Sequence, residues 1–472
     1  MVLQASQGGR PGSLQLRVVV IGAGVAGLTA ARALLDAGVS EVLLFERRTQ
    51  DEVLAGGAGL GLAVNALAAL KLLSGAQEGA TLADDVAAIG CYDPAAVFKT
   101  WTGKTLTVLP TDLESPPAGA PAGTPPETGT YGVNVSRRNL QRTIYAALPP
   151  GTVRWGVGLK DFVRLDDGRV QVNLADGSSA VCDMLVGADG IHSPVRRLLD
   201  EESGGPKREP TYSGYMYCRG LVDLTKYPGG VEGWRKALGS PELCNGMFYG
   251  TTYQVTQTHA GIGRYHKAPE GCPRNLSPEQ AKQLMQALTK GWGDPVAWSA
   301  TAIEPEAVLE GNWGSGCVTL IGDAAHALLP TLGQGGCQGI EDAVELGVAI
   351  HRAAKAAAAL AQPPDGTNNM RFSASDIEGV LRGFEATRGP RVGKVFDVSM
   401  GLFWTGVGET WLGRLRRDWT FWLLPVPLMR KSGNWLSGKR FSWDEQEGEE
   451  AERIGPQNVR ESLIEKAVLG GR

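Results

Sequence analysis

The 472-residue chain has little that would cross-link it or carry it through a bilayer. Its seven cysteines, at 91, 182, 218, 244, 272, 317 and 337, are odd in number and scattered, with no CxxC pair. That spacing argues against a disulfide framework or a cysteine-based zinc site and points to a reducing compartment. No run of 18 apolar residues exists, so no transmembrane helix is expected; the nearest stretch, WTFWLLPVPLM at 419–429, is short and carries two prolines. The first sixteen residues lack an apolar core and are expected to be a frayed tail or a transit-peptide remnant rather than a secretory signal. A cytoplasmic protein is expected, with a plastid or other organelle as the alternative, and not a secreted one. Net charge is −4, so the basic footprint of nucleic-acid binding is missing. No Ser/His/Asp or metal-ligand constellation and no internal repeat is visible.

Glycine, by contrast, is plentiful: 65 residues, many of them in turn-like positions between apolar runs. LRVVVIGAGVAGLTAARALLDAG (16–38) reads as a buried strand, a Gly-rich turn and an amphipathic helix, and VSEVLLFERR (39–48) adds a second strand to make a βαβ unit. A Gly-rich turn, short strand and helix follow over 57–73. Residues 114–130 form a low-complexity Pro/Gly/Ala loop. A helix is expected at 136–148, hairpins around Asp166-Asp167-Gly168 and Asp176-Gly177, and another strand–turn–helix at 182–199. Residues 206–312 change character, with aromatics, short β-like runs and one helix at 277–292, as in a separate sheet-containing domain. Beyond 362–370 the tail is helical, Trp-rich and basic, and ends in a charged segment.

Three motifs carry chemistry. In Gly22-Ala23-Gly24-Val25-Ala26-Gly27, the GxGxxG form, the first glycine permits a tight turn and the second lets a pyrophosphate approach the backbone. The third lets helix and strand pack closely, and the helix start offers free N–H groups. Glu46 ends the next strand, nineteen residues after Gly27, where an acid binds ribose hydroxyls. Arg47 and Arg48 either reach a phosphate or adenine or are solvated charges. The second motif is Gly187-Ala188-Asp189-Gly190, followed by Ser193 and Arg196. The third is Gly322-Asp323 with Pro330 and Gly333-Gln334-Gly335-Gly336. Asp323 either accepts hydrogen bonds from a polyol at the edge of a parallel sheet or caps the turn over Ala325 and His326. His192 and His326 read as packed or hydrogen-bonded scaffold, and Cys337 as packing.

In this order the three motifs resemble the single-component FAD-dependent aromatic hydroxylases, the para-hydroxybenzoate-hydroxylase-like monooxygenases. The branch with salicylate and urate hydroxylases and zeaxanthin epoxidase is nearest, because the third motif also runs GD-x-x-H…P…GQG…(I/L)ED. The resemblance spans 16 to about 395. It implies that Gly22, Gly24, Ala26 and Gly27 cradle the FAD pyrophosphate, with Arg137 approaching it. Glu46 and Arg47 would lie at the adenosine end, with the backbone near Val157 at the adenine. Gly61 would lie near the ribityl or flavin side, and Asp189 would support FAD and, transiently, NADPH or NADH. Asp323 would bind the ribityl chain, and Gly335 and Gly336 would face the N1–C2=O edge of the reduced ring. The implied reaction is NAD(P)H- and O2-dependent hydroxylation of a small aromatic or heteroaromatic compound through C4a-hydroperoxyflavin. A second GxGxxG unit and the GxWxWxI signature of flavin halogenases are both missing, which argues against two-dinucleotide-domain monooxygenases and against halogenases.

The expected fold is α/β: a discontinuous Rossmann-like FAD-binding domain (16–83, 131–200 and 316–360), with an inserted mixed β-sheet substrate domain (84–130 and 201–315). A C-terminal helical segment and charged tail fill 361–472. Candidates at the reacting side are Arg219 and Pro330. Arg219 either holds a carboxylate or enolate bidentately or makes a structural salt bridge. Tyr217, Tyr249 and Tyr253 are pocket walls or sheet core. The loop before Trp313 is short and lacks the Asp-Arg pair frequent in the family, which leaves the substrate open. An epoxidase of a lipophilic isoprenoid and a flavin-binding protein without turnover are the alternatives. The Trp/Arg-rich segment 403–441 is either a helical cover or a peripheral membrane contact. Oligomeric state is not legible.

Overall fold

LQLRVVVI forms strand β1 (Leu14–Ile21), whose second half, Val18 to Ile21, is buried on both faces, because a parallel strand covered by helices has no solvent side to keep polar there. Helix α1 (Val25–Asp36) follows and buries its alanine and leucine stripe. Strand β2 (Val39–Glu46) returns parallel to β1, in the register Val18 opposite Val42. The computed structural model describes residues 14–444 apart from 56–58, 94, 100–104, 111, 114–124, 238–244, 249–250, 257–258, 268–279, 281–282, 284–298, 304–312, 362–370, 408–410, 424–438 and 440. Most of the expected 277–292 helix lies outside the described residues. So do residues 114–124 of the low-complexity loop, and Tyr249, Trp292, Arg430, Lys431 and Trp435.

The central sheet is five-stranded and all parallel, in the order Val318–Leu320, Met184–Gly187, β1, β2, Val153–Trp155. The order reverses at β1, because one neighbour follows it directly and the other arrives from residue 184 onwards. Such a switch point opens a crevice at the carboxyl ends of the strands. A three-stranded antiparallel sheet of Leu159–Arg164, Val170–Leu174 and Ser179–Cys182 contains the two expected hairpins; Gly168 and Gly177 supply φ of 82° and 83° at their turns.

Two further sheets flank the crevice. Gly59–Leu62, Gly132–Ser136 and Cys91–Asp93 make a small antiparallel one. A seven-stranded sheet holds Tyr215–Asp223 and its neighbours from 245 to 303, and also takes in Ala95–Lys99 and Thr105–Pro110. Helix Leu82–Ile89 starts at a capping box between Thr81 and Asp84 and buries Leu82, Ala83 and Val86. It spans residue 84, so the seven-stranded sheet begins only at Ala95.

The long helix Gln334–Ala361 crosses α1, and an added Cβ at Gly347 would lie 2.9 Å from the Ala33 Cβ, so the two backbones meet at that glycine. Helix Ala374–Val407 packs along it and reaches strand Val318–Leu320. Helix Trp411–Leu423 packs on Ala374–Val407 and on the edge strand Thr105–Pro110.

Candidate active site

The three motifs meet at the switch point. Gly22 has φ of 105°, and a Cβ there would sit 2.4 Å from the Ala188 carbonyl oxygen, so the first motif rests directly on the second. A Cβ on Gly27 would sit 1.9 Å from the Gly22 oxygen. Over Gly24, a Cβ would meet nothing within 4 Å: the second glycine faces open space, as a backbone that must admit a pyrophosphate requires. Gly24 is also the N-cap of α1 without a side-chain cap, which leaves the first-turn N–H groups for a ligand. Ala26 touches the third motif, lying 3.0 Å from a Cβ placed on Gly322.

Glu46 is buried at the end of β2. Its Oε2 accepts from the Ala23 N–H at 2.9 Å, and its Oε1 from the Arg48 N–H at 3.0 Å. A carboxylate has about four lone-pair sites, so capacity remains for ribose hydroxyls. Arg48, not Arg47, makes the ion pair with Glu46, at 3.2 Å; Arg47 is exposed beside Gly158. Val157 donates its N–H to the Glu46 carbonyl, which brings the adenine-side backbone to the same corner.

Asp189 follows strand Met184–Gly187. Its Oδ2 accepts from the Val195 N–H at 3.0 Å, while Oδ1 is shut away from solvent without a hydrogen-bond partner. Burial pushes its carboxyl up to about 6, against the bonds from Ser193 and Val195. Arg196, buried in the helix that Ser193 caps, donates to the Ala324 carbonyl at 2.9 Å and to the Ile191 carbonyl at 2.5 Å, and so stitches the second motif to the third.

Asp323 stands on the 3-10 turn Gly322–Ala324. The N–H groups of Ala325 and His326 both bond to the Gly322 carbonyl, and the Asp323 carboxylate accepts no hydrogen bond among the described residues. The capping alternative is therefore excluded. Water reaches this side chain, yet the surrounding protein pushes its carboxyl above the ordinary carboxylate range by desolvation, opposed by His326 and Arg137. Gly335 is its neighbour, with a Cβ position 4.0 Å from the Asp323 Oδ1.

Behind the turn lies a buried polar network that the motifs alone do not reveal. Asp342 Oδ2 accepts from the Gly322 N–H at 2.8 Å and pairs with His326 Nε2 at 2.6 Å, and Oδ1 accepts from Arg388 Nε at 2.8 Å. Arg388, fully buried, also donates to Glu341 Oε2 at 2.5 Å and to the Gln338 side chain at 2.7 Å; Arg391 and Asn65 complete the shell around Glu341. Burial works against both carboxylates. His326 and Arg388 nevertheless hold Asp342 below its ordinary value, and Arg388 and Arg391 hold Glu341 well below. Two adjacent acids on a helix that packs inward are the one signal in the sequence that such a partner had to exist. Gln141 is a second residue outside the motifs, donating to the Ala23 carbonyl at 3.2 Å.

The remaining candidates border the same crevice or lie on the large sheet. Gly61, in strand Gly59–Leu62, accepts at its carbonyl from Cys337, whose buried thiol is pushed up to about 12. A Cβ on Gly336 would sit 3.1 Å from Leu60, closing the helix start onto that strand. Arg137 is exposed at the first turn of helix Arg137–Ala146, near enough for Asp323 to feel its charge. Pro330 opens the turn Pro330–Leu332. Leu329 before it is pinned by the Ser399 hydroxyl at 3.0 Å and packs with Tyr215 and Phe403. Arg219 lies in strand Tyr215–Asp223, opposite Gly263 and Thr301; Tyr217 and Tyr253 are placed on the same sheet, opposite Tyr265 and Ile262.

Comparison with known proteins defines the class. Residues 15–361 match the family described as "FAD binding domain". A 3-amino-4-hydroxybenzoate 2-monooxygenase of Streptomyces platensis is 33% identical over 344 residues, covering 69% of this chain and 77% of that protein. A chloroplastic zeaxanthin epoxidase of Oryza sativa subsp. japonica is 31% identical over 383 residues, covering 75% of this chain but 52% of its own; this chain thus spans about half the length of that relative. The crystal structure of Klebsiella pneumoniae HpxO with FAD and uric acid superposes with a TM-score of 0.67 at 22% identity, covering 89% and 96% of the two chains, which speaks for the fold. The chain belongs to the FAD-dependent monooxygenase family, and its cofactor is FAD. The residues present suit that group: open space over Gly24, an unpartnered Oδ1 on Asp189, and a carboxylate on Asp323 that accepts no hydrogen bond among the described residues.

Proposed function

We propose that this monooxygenase uses NADH or NADPH and O2 to hydroxylate a small aromatic or heteroaromatic compound. The observation that carries the reading is the pair of acceptor groups, Asp189 and Asp323, left without full hydrogen bonding after the adjacent strands Met184–Gly187, which neighbours β1, and Val318–Leu320, which neighbours Met184–Gly187. FAD, when bound, supplies the redox and oxygen-activating chemistry. The chain's own work is to bind and orient. Glu46 accepts from the ribose hydroxyls, and the first turn of α1 holds the pyrophosphate with help from Arg137. Asp323 would accept from the ribityl hydroxyls, and the N–H groups of Gly335 and Gly336 would stabilise negative charge on the ring. Asp189 supports this edge and the transient docking of the nicotinamide donor. The 328–332 turn, held by Ser399, Tyr215 and Phe403, would be the wall that keeps water from the reacting side, with Pro330 at the flavin's edge, and Arg219 would be the cation for an anionic substrate. The division into an FAD-binding domain, a substrate domain carried by the seven-stranded sheet and a C-terminal helical segment belongs to the same reading. The odd number and scattered spacing of the cysteines support a reducing compartment.

Substrate-stimulated oxidation of NADH and NADPH, read across phenols, purines and carotenoids with mass analysis of the product, tests it. One or more small aromatics should accelerate oxidation and gain one oxygen atom. A yellow protein that oxidises neither coenzyme with any compound would leave a flavin-binding protein without turnover. A second reading, an epoxidase of a lipophilic isoprenoid, is favoured by a row of exposed tryptophans near the C-terminus; turnover of a carotenoid alone would select it.

A further inference from the structure

Helix Trp411–Leu423 is inverted for a surface helix. Trp411, Leu412, Leu415, Trp419, Trp422 and Leu423 are 48–69% exposed, whereas Arg417 on the other side is 3% exposed and paired with Asp418 at 2.5 Å. At about 100° per residue, those six apolar positions fall within an arc of about 120°. The preceding helix, against which Trp411–Leu423 packs, exposes Trp404 to 51%; its ring lies 5.3 Å from Phe403 and 6.0 Å from Tyr215. A contiguous apolar face of this kind marks an interaction surface.

The chemistry of the face selects the partner. Its tryptophans join an apolar ring to one N–H, the amphipathic character that places indoles at the level of lipid headgroups. Residues 411–440 carry seven basic side chains and one acid in a chain whose net charge is −4; with Arg417 turned inward onto Asp418 and Lys439 paired with Glu345, five basic positions of that segment remain as a local excess complementary to anionic headgroups. Thirteen residues make a helix about 20 Å long, too short to span the hydrocarbon core but suited to lying along it. No helix among the described residues is long and apolar enough to cross a membrane. We propose that helix Trp411–Leu423, together with Trp404, is an interfacial docking face that seats the protein on an anionic lipid surface. This goes beyond the flavin chemistry and holds whichever compound receives the oxygen. Through Phe403, Tyr215 and Leu329 the face is packed against the turn that begins at Pro330, so docking sets the substrate side of the site next to the bilayer.

The FAD-loaded full chain should co-sediment with vesicles of phosphatidylcholine and phosphatidylglycerol about tenfold better than with phosphatidylcholine alone, with a blue shift of tryptophan emission. Added salt should weaken the binding. The exposed-face variant Trp411→Ser/Leu415→Ser/Trp419→Ser/Trp422→Ser should lose it while keeping flavin content and unfolding midpoint; Trp419→Ser alone should lose part. Failure of the wild-type protein to pellet with anionic vesicles overturns the proposal. Wild-type self-association that the variant abolishes, without vesicle binding, also overturns it and makes the face a contact between copies. Flavin content is read in the same samples, so failure of docking leaves the FAD reading intact.

Discussion

At the scale of the residue, Asp323 and Asp189 are held by the protein and not fully used by it. Asp323→Ala removes a carboxylate with no hydrogen bond among the described residues, so the fold should be unaffected while FAD binds about ten- to a hundredfold more weakly, as expected for a charged hydrogen-bond acceptor worth about 1.5–3 kcal/mol. Flavin fluorescence titration measures it; unchanged affinity would remove Asp323 from the ribityl site. Asp189 makes a pH prediction. With its carboxyl at about 6, the folded chain binds this proton more tightly than the unfolded chain. Its contribution to the stability of the flavin-free protein is therefore lost as pH rises from about 4 through about 6. Asp189→Asn should flatten that slope, and thermal midpoints of the two proteins between about pH 4 and 7 decide it; parallel profiles would refute the assignment.

At the scale of the element, the βαβ start, the hairpins at Gly168 and Gly177 and the strand–turn–helix around Asp189 were all legible, because each rests on periodicity and turn chemistry within a few residues. The contact between Glu341, Asp342 and Arg388 was not: Arg388 lies 46 and 47 residues beyond its two partners, on another helix. Arg388→Met takes a shared cation from two buried carboxylates, leaving Glu341 to Arg391 and Asp342 to His326, and should cost about 3–5 kcal/mol in urea unfolding, with partial recovery in Arg388→Lys. A loss below about 1 kcal/mol would show that the network relaxes. At the crossing of α1 with Gln334–Ala361, Gly347→Val forces a side chain against the Ala33 backbone and should destabilise by about 1–3 kcal/mol in the same assay.

At the scale of the whole molecule, the site is assembled from segments around residues 22, 189 and 323, and supported from 388 and 399. The family match stops at 361, before the helix Ala374–Val407 that supplies both supports. A chain ending at 361 should therefore fail to retain FAD, whereas for the full chain FAD at about 100 times its dissociation constant should add about 2.7 kcal/mol to stability. Gel filtration with absorbance at the flavin band checks the first and urea unfolding the second. The seven-stranded sheet is also a whole-molecule feature, since Ala95–Lys99 pairs in parallel with Asn245–Phe248, a partnership that no local pattern encodes.

By itself the sequence determined the class: glycines where φ must be positive or backbones must touch, an acid nineteen residues later, and carboxylates after two apolar strands, all imposed by local sterics and hydrogen-bonding chemistry. Only the tertiary structure decided how those parts are used. It removed the capping alternative for Asp323, because the turn's N–H groups are spent on Gly322. It chose Arg388 as the partner of the buried acids, because desolvated charges pair with whatever folding brings within reach. It also distinguished a covered helix from an exposed one: the composition of Trp411–Leu423 permits either, and which face meets the protein is settled only by what packs against it.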